Sequence, residues 1–495
     1  MKTGILVAVL IYLFVLVVGV GSFLARREKL SRHAAVEGEF ALGGRSLSTP
    51  VVAVTLAFSV LGTAHILGVF ELSWTLGAAA VWFSLAHVIL LVVVCLSTGL
   101  WVRRLRVSTV PQILEILFGE KTRILVSCVM AGVVAGLLTV ETQGLGILMA
   151  TMTGWSIREG AIAGGIIGIL YVIFAGMKEV GYLNVINAIV KYGGLILATI
   201  FLALRLPGGN FESIRHFYVD SGHPEMLSIY GTPQIMATFA LGTIVAVLFS
   251  QGISQMLLQP AMGARDENTI RKALWIAAPV NGMFGVFAVV IGLTARALPQ
   301  YQALGPKVAA TTMLIDLLPA WLAALLLASF LTAVLSTFAM ACLAPATLFS
   351  VDIYKRLYRP DANEAQIKAA TRIAIIVLGV VAILVASSLP PILASVNWLF
   401  SWLVPVFWVV VFGLFWKRNA TVTVATLLSA WIVNCAWSFT ALPELFGGQG
   451  IPNAYITLAI TLVVGVVGNA VTQGEQAYFK SAEYRSRRDS LSAPG

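Results

Sequence analysis

Charge is what this 495-residue sequence has least of. Only 11% of its residues are Asp, Glu, Lys or Arg, and 59% are hydrophobic. A soluble domain carries about 25% charged residues. That deficit, with a mean hydropathy of +0.92, excludes a string of soluble domains and indicates an all-α polytopic membrane protein. Cysteine is scarce as well. Cys95, Cys128, Cys342 and Cys435 all fall inside apolar stretches without pairing or metal-ligand spacing. They read as buried small hydrophobes rather than a disulfide framework. No HExxH, CxxC pair, GxSxG or carboxylate dyad occurs, so nothing supports a membrane enzyme. No filter repeat or charged ring supports a channel. The first apolar stretch has no small-residue cleavage site before Arg26-Arg27 and reads as a retained helix.

What is present is a series of long apolar runs. A spanning helix needs about 20 apolar residues, and thirteen stretches qualify: 4–25, 51–76, 78–101, 122–152, 158–176, 184–205, 232–258, 273–296, 318–350, 368–388, 393–416, 420–441 and 451–473. With the N-terminus outside, most of the 32 Lys and Arg face the inside, in clusters such as Arg103-Arg104, Arg271-Lys272, Lys355-Arg356 and Arg487-Arg488. This is the positive-inside pattern of a multi-pass plasma-membrane protein with a cytoplasmic C-terminus. The net charge of +10 is therefore a membrane-facing bias and not a nucleic-acid surface. The segment 206–232, with Pro207-Gly208-Gly209, reads as a connector or a gate. Residues 474–495 form a short basic tail without room for a sensor's output domain.

Two of the thirteen runs are interrupted. Residues 51–76 contain Phe58-Ser-Val-Leu-Gly62-Thr-Ala-His65, and residues 232–258 contain Phe249-Ser-Gln251-Gly252-Ile-Ser254-Gln255. Glycine weakens a helix interior by about 1 kcal/mol relative to alanine, and polar side chains beside it compensate freed backbone groups. Interrupted segments at corresponding positions of two halves point to a transport site. The two runs open two five-helix sets, 51–205 and 232–416. An odd number of helices inverts the second set relative to the first. Residues 1–50 precede these sets, and spans within 417–473 follow. Close helix packing is the alternative use of the glycines.

The run 318–350 carries Ala333, Ser336 and Thr337 on one helical face. Hydroxyl and carbonyl oxygens suit a small hard cation. The alternative is that both hydroxyls only bond back to their own helix or across to a neighbouring one.

Several motifs give this chain a family resemblance. They are Phe40-Ala-Leu-Gly-Gly-Arg45-Ser, Gly176-Met-Lys-Glu-Val180, Gln255…Gln259 leading to Ala264-Arg265-Asp266, and Ala333-Val-Leu-Ser336-Thr337 with Asp352-Ile-Tyr-Lys355. The chain resembles the sodium/solute symporter family, whose members have a LeuT-type inverted-repeat fold. The resemblance implies sodium-coupled symport of a small polar organic solute by alternating access. It also implies a co-transported Na+ held by the Phe58, Leu61 and Ala333 carbonyls and the Ser336 and Thr337 hydroxyls. Three positions depart from the family's pattern. The family often has Thr-Asp, with Gln three residues further on, where this chain has Leu183, Asn184 and Asn187. Pro260 replaces a common arginine, and Val60 an acidic residue of the proline carriers.

Ionisable residues inside spans are functional candidates. Lys191 could occupy or compete for the cation site, which would make the protein proton-coupled or uncoupled. Snorkelling to the inner interface or pairing with a carboxylate are its structural alternatives. Asn184 shares its span. Glu141 could contact a cationic substrate or hydrogen-bond a helix break. His65 lies where the family places a substrate-contacting residue. Gly62, Thr63, Gln251, Ser254, Gln255 and Trp398 complete the candidate solute site. Expected partners are a small solute, sodium and lipid, with the protein a monomer or weak homo-oligomer. A transporter-like sensor is the remaining alternative.

Overall fold

The computed structural model describes residues 4–16, 19, 42–174, 177–386, 388, 391–448 and 450–486. Phe40, Gly176, the cluster at 26–32 and the Arg487-Arg488 end of the tail lie outside the described residues. Among the described residues, ten helices are long and apolar enough to cross a membrane, by length and composition. Two shorter apolar helices are α1 (Gly4–Leu16) and α2 (Thr49–Phe58).

After α2 the helix stops for a few residues. It restarts as a π turn, Ala64–Gly68, that runs into α3 (Val69–Leu76). Gly77, at φ 63°, turns the chain towards α4 (Trp82–Val93). The long helices α5 (Glu120–Thr153), α6 (Ile157–Phe174) and α7 (Met177–Arg205) complete the first half. In the second half α8 (Leu241–Gln251) and α9 (Gln255–Met262) are separated by Gly252–Ser254. They are followed by α10 (Glu267–Ala297), α11 (Ala320–Thr347) and α12 (Glu364–Ala386). The run 393–416 kinks between α13 (Ile392–Ser401) and α14 (Val404–Phe415). Helices α15 (Ala420–Phe439) and α16 (Asn453–Val471) follow.

Burial identifies the axis of the bundle. The most apolar window of the α11 span is 94% buried, against 28% for α16. Helix α11 packs on α5, α7 and α12, while α2 packs on α7 and α10. The hydroxyl-bearing face of α11 is therefore enclosed by protein, and the polar groups on it must find partners inside the bundle.

Several expectations need correction. Helix α7 starts at Met177 rather than 184, so Lys191 lies about four turns from its start. The 318–350 run continues as a π helix, Leu348–Tyr358, because Asp352 and its neighbours stay buried in a polar cluster. The segment 206–232 is not a plain loop. It holds a helix, Glu212–Asp220, and is pinned by Tyr218 donating to the Leu293 carbonyl (2.9 Å) and by Trp82 donating to the Ile229 carbonyl (2.9 Å). Cys128 is exposed and Cys435 half-buried, so only Cys95 and Cys342 are buried as expected. The start of the tail pairs Glu475–Gln476 with Lys417–Arg418 as two short strands.

The family-like motifs at the helix ends are structural fasteners. The Arg45 guanidinium donates to the carbonyls of Arg106 and Val107, both at 3.1 Å. Leu47 bridges Ala264. Buried Arg123 on α5 donates to Asp352 (2.8 Å from Nε) and also pairs with Glu115. Arg356 donates to Glu115 and Glu120, both at 2.7 Å. These ion pairs tie the π extension of α11 to α5 and to the short helix Pro111–Phe118.

Candidate cation and solute site

The break after α2 has a local cause. The Ser59 hydroxyl donates to the Thr55 carbonyl (2.6 Å), a side-chain bond that competes with the helix ladder. Gly62 permits a close approach that no other residue would. A Cβ there would stand 2.5 and 2.7 Å from the two carboxylate oxygens of Glu141, and 2.7 Å from Thr337 Cβ. The break thus brings the Gly62 backbone between α5 and α11.

Across this break Thr337 Oγ1 donates to the Phe58 carbonyl (2.7 Å), and it also lies within reach of the Ala333 carbonyl (3.3 Å). The hydroxyl is therefore more than a back-bond to its own helix. Three oxygens, from α2 and α11, converge. Ser336 faces α7, where its hydroxyl donates to Asn184 Oδ1. Leu61 is fully buried and adjoins Gly62 in the broken tract. Of the residues expected at the cation site, Phe58, Ala333 and Thr337 meet directly. Ser336 instead bonds Asn184, the neutral residue on α7.

Lys191 neither snorkels nor pairs with a carboxylate. Its side chain is 0% exposed. Nζ lies 4.0 Å from the centroid of the Phe58 ring and 4.9 Å from that of Phe284, and has no hydrogen-bond partner among the described residues. A cation is attracted to ring faces, yet a buried amine without hydrogen bonds is costly. The amine thus abuts the same residue whose carbonyl belongs to the oxygen cluster.

Glu141 is 6% exposed and bonds the helix break, one of its two expected roles. Its Oε2 accepts from the Thr63 backbone N–H (2.9 Å). That N–H belongs to the start of the half-helix leading into α3, where freed donors and the helix dipole favour an anion.

The other solute-site candidates separate. Around the two breaks, Thr63 Oγ1, both His65 ring nitrogens, both amide atoms of Gln251 and Ser254 Oγ are buried without hydrogen-bond partners among the described residues. Such groups must find partners or ligands. Gln255 has already done so. Its Oε1 accepts from Val110 N–H (2.7 Å) and its Nε2 donates to the Ser108 carbonyl (3.3 Å). It fastens a loop rather than lining a cavity. Trp398 donates to Ser438 (2.9 Å) and borders a 220 Å³ cavity with Asn397, Thr243 and Asn453.

Two residues escaped sequence reasoning. His87 on α4 meets the His65 ring edge-on, with ring centroids 4.4 Å apart, and its Nδ1 contacts the Phe83 carbonyl (2.8 Å). Asn281 on α10 donates to the Ala57 carbonyl (3.4 Å). His87 is ionisable and in mid-span, so the rule that singled out Lys191 and Glu141 would have found it; Asn281 is uncharged and that rule passes over it.

Comparison with known proteins identifies the family. The chain is 23% identical over 448 residues to the sodium/glucose cotransporter of Vibrio parahaemolyticus, covering 82% of this chain and 80% of that one. It is 23% identical over 475 residues to the high-affinity proline transporter PutP of Bacillus subtilis, covering 88% and 93%. The solved structure of a substrate-bound, outward-open Na+-coupled sialic acid symporter superposes with a TM-score of 0.79 at 17% identity, covering 96% of this chain and 99% of that one. A nucleobase-cation-symport-1 family transporter, Mhp1, superposes with a TM-score of 0.58 at 14% identity, covering 91% and 98%. The sodium:solute symporter family model matches residues 40–429. This chain, with its broken α2 laid against the hydroxyl face of α11, belongs to the sodium:solute symporter family.

Proposed function

We propose that this protein is a secondary active transporter that couples sodium entry to uptake of a small polar organic solute. The observation that carries this reading is the convergence of Thr337 Oγ1 with the Phe58 and Ala333 carbonyls across the broken helix. Sodium takes oxygen ligands, and half-helix ends leave carbonyls free to supply them. Ser336 and the Leu61 carbonyl complete the ligand set. Thirteen spans, with the N-terminus outside and the C-terminus cytoplasmic, form two inverted five-helix repeats over residues 51–205 and 232–416. Alternating access arises as one repeat bundle rocks against the other around this midplane site. The solute sits beside the two breaks, against Gly62, Thr63, His65, Gln251 and Ser254. Transport, not catalysis, is the activity.

A second reading has one observation in its favour. Lys191 Nζ lies against Phe58, so a lysine ammonium could replace the sodium ion, giving proton-coupled or uncoupled transport. Thermal stability of the purified protein decides between them. The screen uses amino acids, organic acids, sugars and nucleobases, in sodium chloride or in N-methylglucamine chloride. Sodium-dependent stabilisation by a solute supports symport. Equal stabilisation in both salts, varying with pH, supports the lysine reading.

A further inference from the structure

The oxygen cluster at Thr337 is made of neutral groups, and the nearest described cationic side chain, Lys191, presses on Phe58 from α7. A cation entering such a cluster meets a low-dielectric interior and an adjacent amine, and neutral oxygens alone offset neither. A carboxylate lies within reach. The two Glu141 oxygens and Thr337 Cβ all lie within 2.7 Å of one point, the place a Gly62 Cβ would occupy. Glu141 therefore flanks the oxygen cluster from α5. Its Oε2 is fixed by the Thr63 N–H (2.9 Å), which orients the group. Asn184, whose Oδ1 accepts from Ser336, adds no charge on the α7 side.

We propose that Glu141 is the counter-charge of the cation site, positioned by Gly62 and Thr63, and not a contact for the solute. This rests on the sodium reading of the Thr337 cluster. Glu141 acts on the ion as a fixed negative charge beside the hydroxyl ligand. The small residue at position 62 is what lets a carboxylate from α5 come this close. Interactions of a unit charge at such separations inside a protein are large enough to set ion affinity.

The test is a sodium titration of the full-length protein in nanodiscs, without solute, read by tryptophan fluorescence and by melting temperature. Glu141→Gln keeps an acceptor for the Thr63 N–H and removes the charge. It is expected to weaken the apparent sodium affinity by at least about tenfold, with the sodium-free melting temperature held near that of the parent. Glu141→Asp keeps the charge and should recover most of the affinity, and Glu141→Ala stands in for the first variant if that one does not fold. Unchanged sodium affinity in Glu141→Gln, or in Glu141→Ala in its place, would overturn the proposal. Thr337→Ala separates the two levels. If it also titrates like the parent, the sodium reading of this cluster has failed; if it alone loses sodium, only the role of Glu141 has failed.

Discussion

Thr337 is the residue on which most of the chemistry depends. Its hydroxyl joins two main-chain carbonyls from different helices. Replacing it with valine removes the oxygen and leaves the shape. The expected cost is about 1 kcal/mol in stability, together with loss of sodium-dependent stabilisation, measured by melting temperature in sodium and N-methylglucamine. Gly62 is the second sensitive position. A methyl there overlaps both the Glu141 carboxylate and Thr337, so Gly62→Ala should destabilise by about 1–3 kcal/mol, the usual cost of overpacking, and abolish sodium binding. Lys191→Met removes an amine that faces the Phe58 ring. Sodium affinity should rise, as read by the same titration; a fall would favour the lysine as an integral part of the coupling machinery. Much of this site was legible from residue types. Ser336 and Thr337 stood on one face of an apolar run, and Gly62 marked the break. The contact between Glu141 and that break was visible only as one of two alternatives, because nothing in the spacing of helix α5 says which of its turns meets Gly62. Gln255 illustrates the opposite error: a buried amide looks the same in sequence whether it lines a cavity or, as here, fastens the loop Ser108–Val110.

At the scale of elements, the two interrupted helices and the π extension of α11 decide what can move. The first break is held by the Thr63 N–H on Glu141 and by Thr337 Oγ1 on the Phe58 carbonyl, and the second by packing of Gly252 against Phe407. By contrast, the C-terminal end of α11 is locked by the buried Arg123–Asp352 pair and by Arg356 on Glu115 and Glu120. Breaking one member of a buried pair leaves the other uncompensated, at a cost of about 3–5 kcal/mol. Asp352→Leu should therefore lower the melting temperature sharply, whereas Glu120→Gln, which removes an exposed partner of Arg356, should change it little. Comparable losses from both would show that the exposed arm contributes as much as the buried one. Periodicity and length placed these helices well, but not their ends. The 318–350 run was read as stopping where charge begins, and the chain instead carries Asp352 inward because Arg123 and Thr109 supply partners there. The start of α7, at Met177, was misplaced as well.

At the scale of the whole molecule, composition alone made the fold class plain: so little charge and so many long apolar runs leave only a helical membrane bundle. The pairing of broken segments then suggested two related halves, and the family model matches residues 40–429. What no single-sequence pattern revealed was the burial order, with α11 enclosed and α16 at the rim, since both are equally apolar and differ only in what surrounds them. Direct binding of radiolabelled sodium to the purified, solute-free protein and to Thr337→Ala probes the proposed coupling most closely. Saturable binding to the parent protein, lost in Thr337→Ala, is the expected result. Absence of saturable sodium binding, or binding that survives in Thr337→Ala, would contradict it.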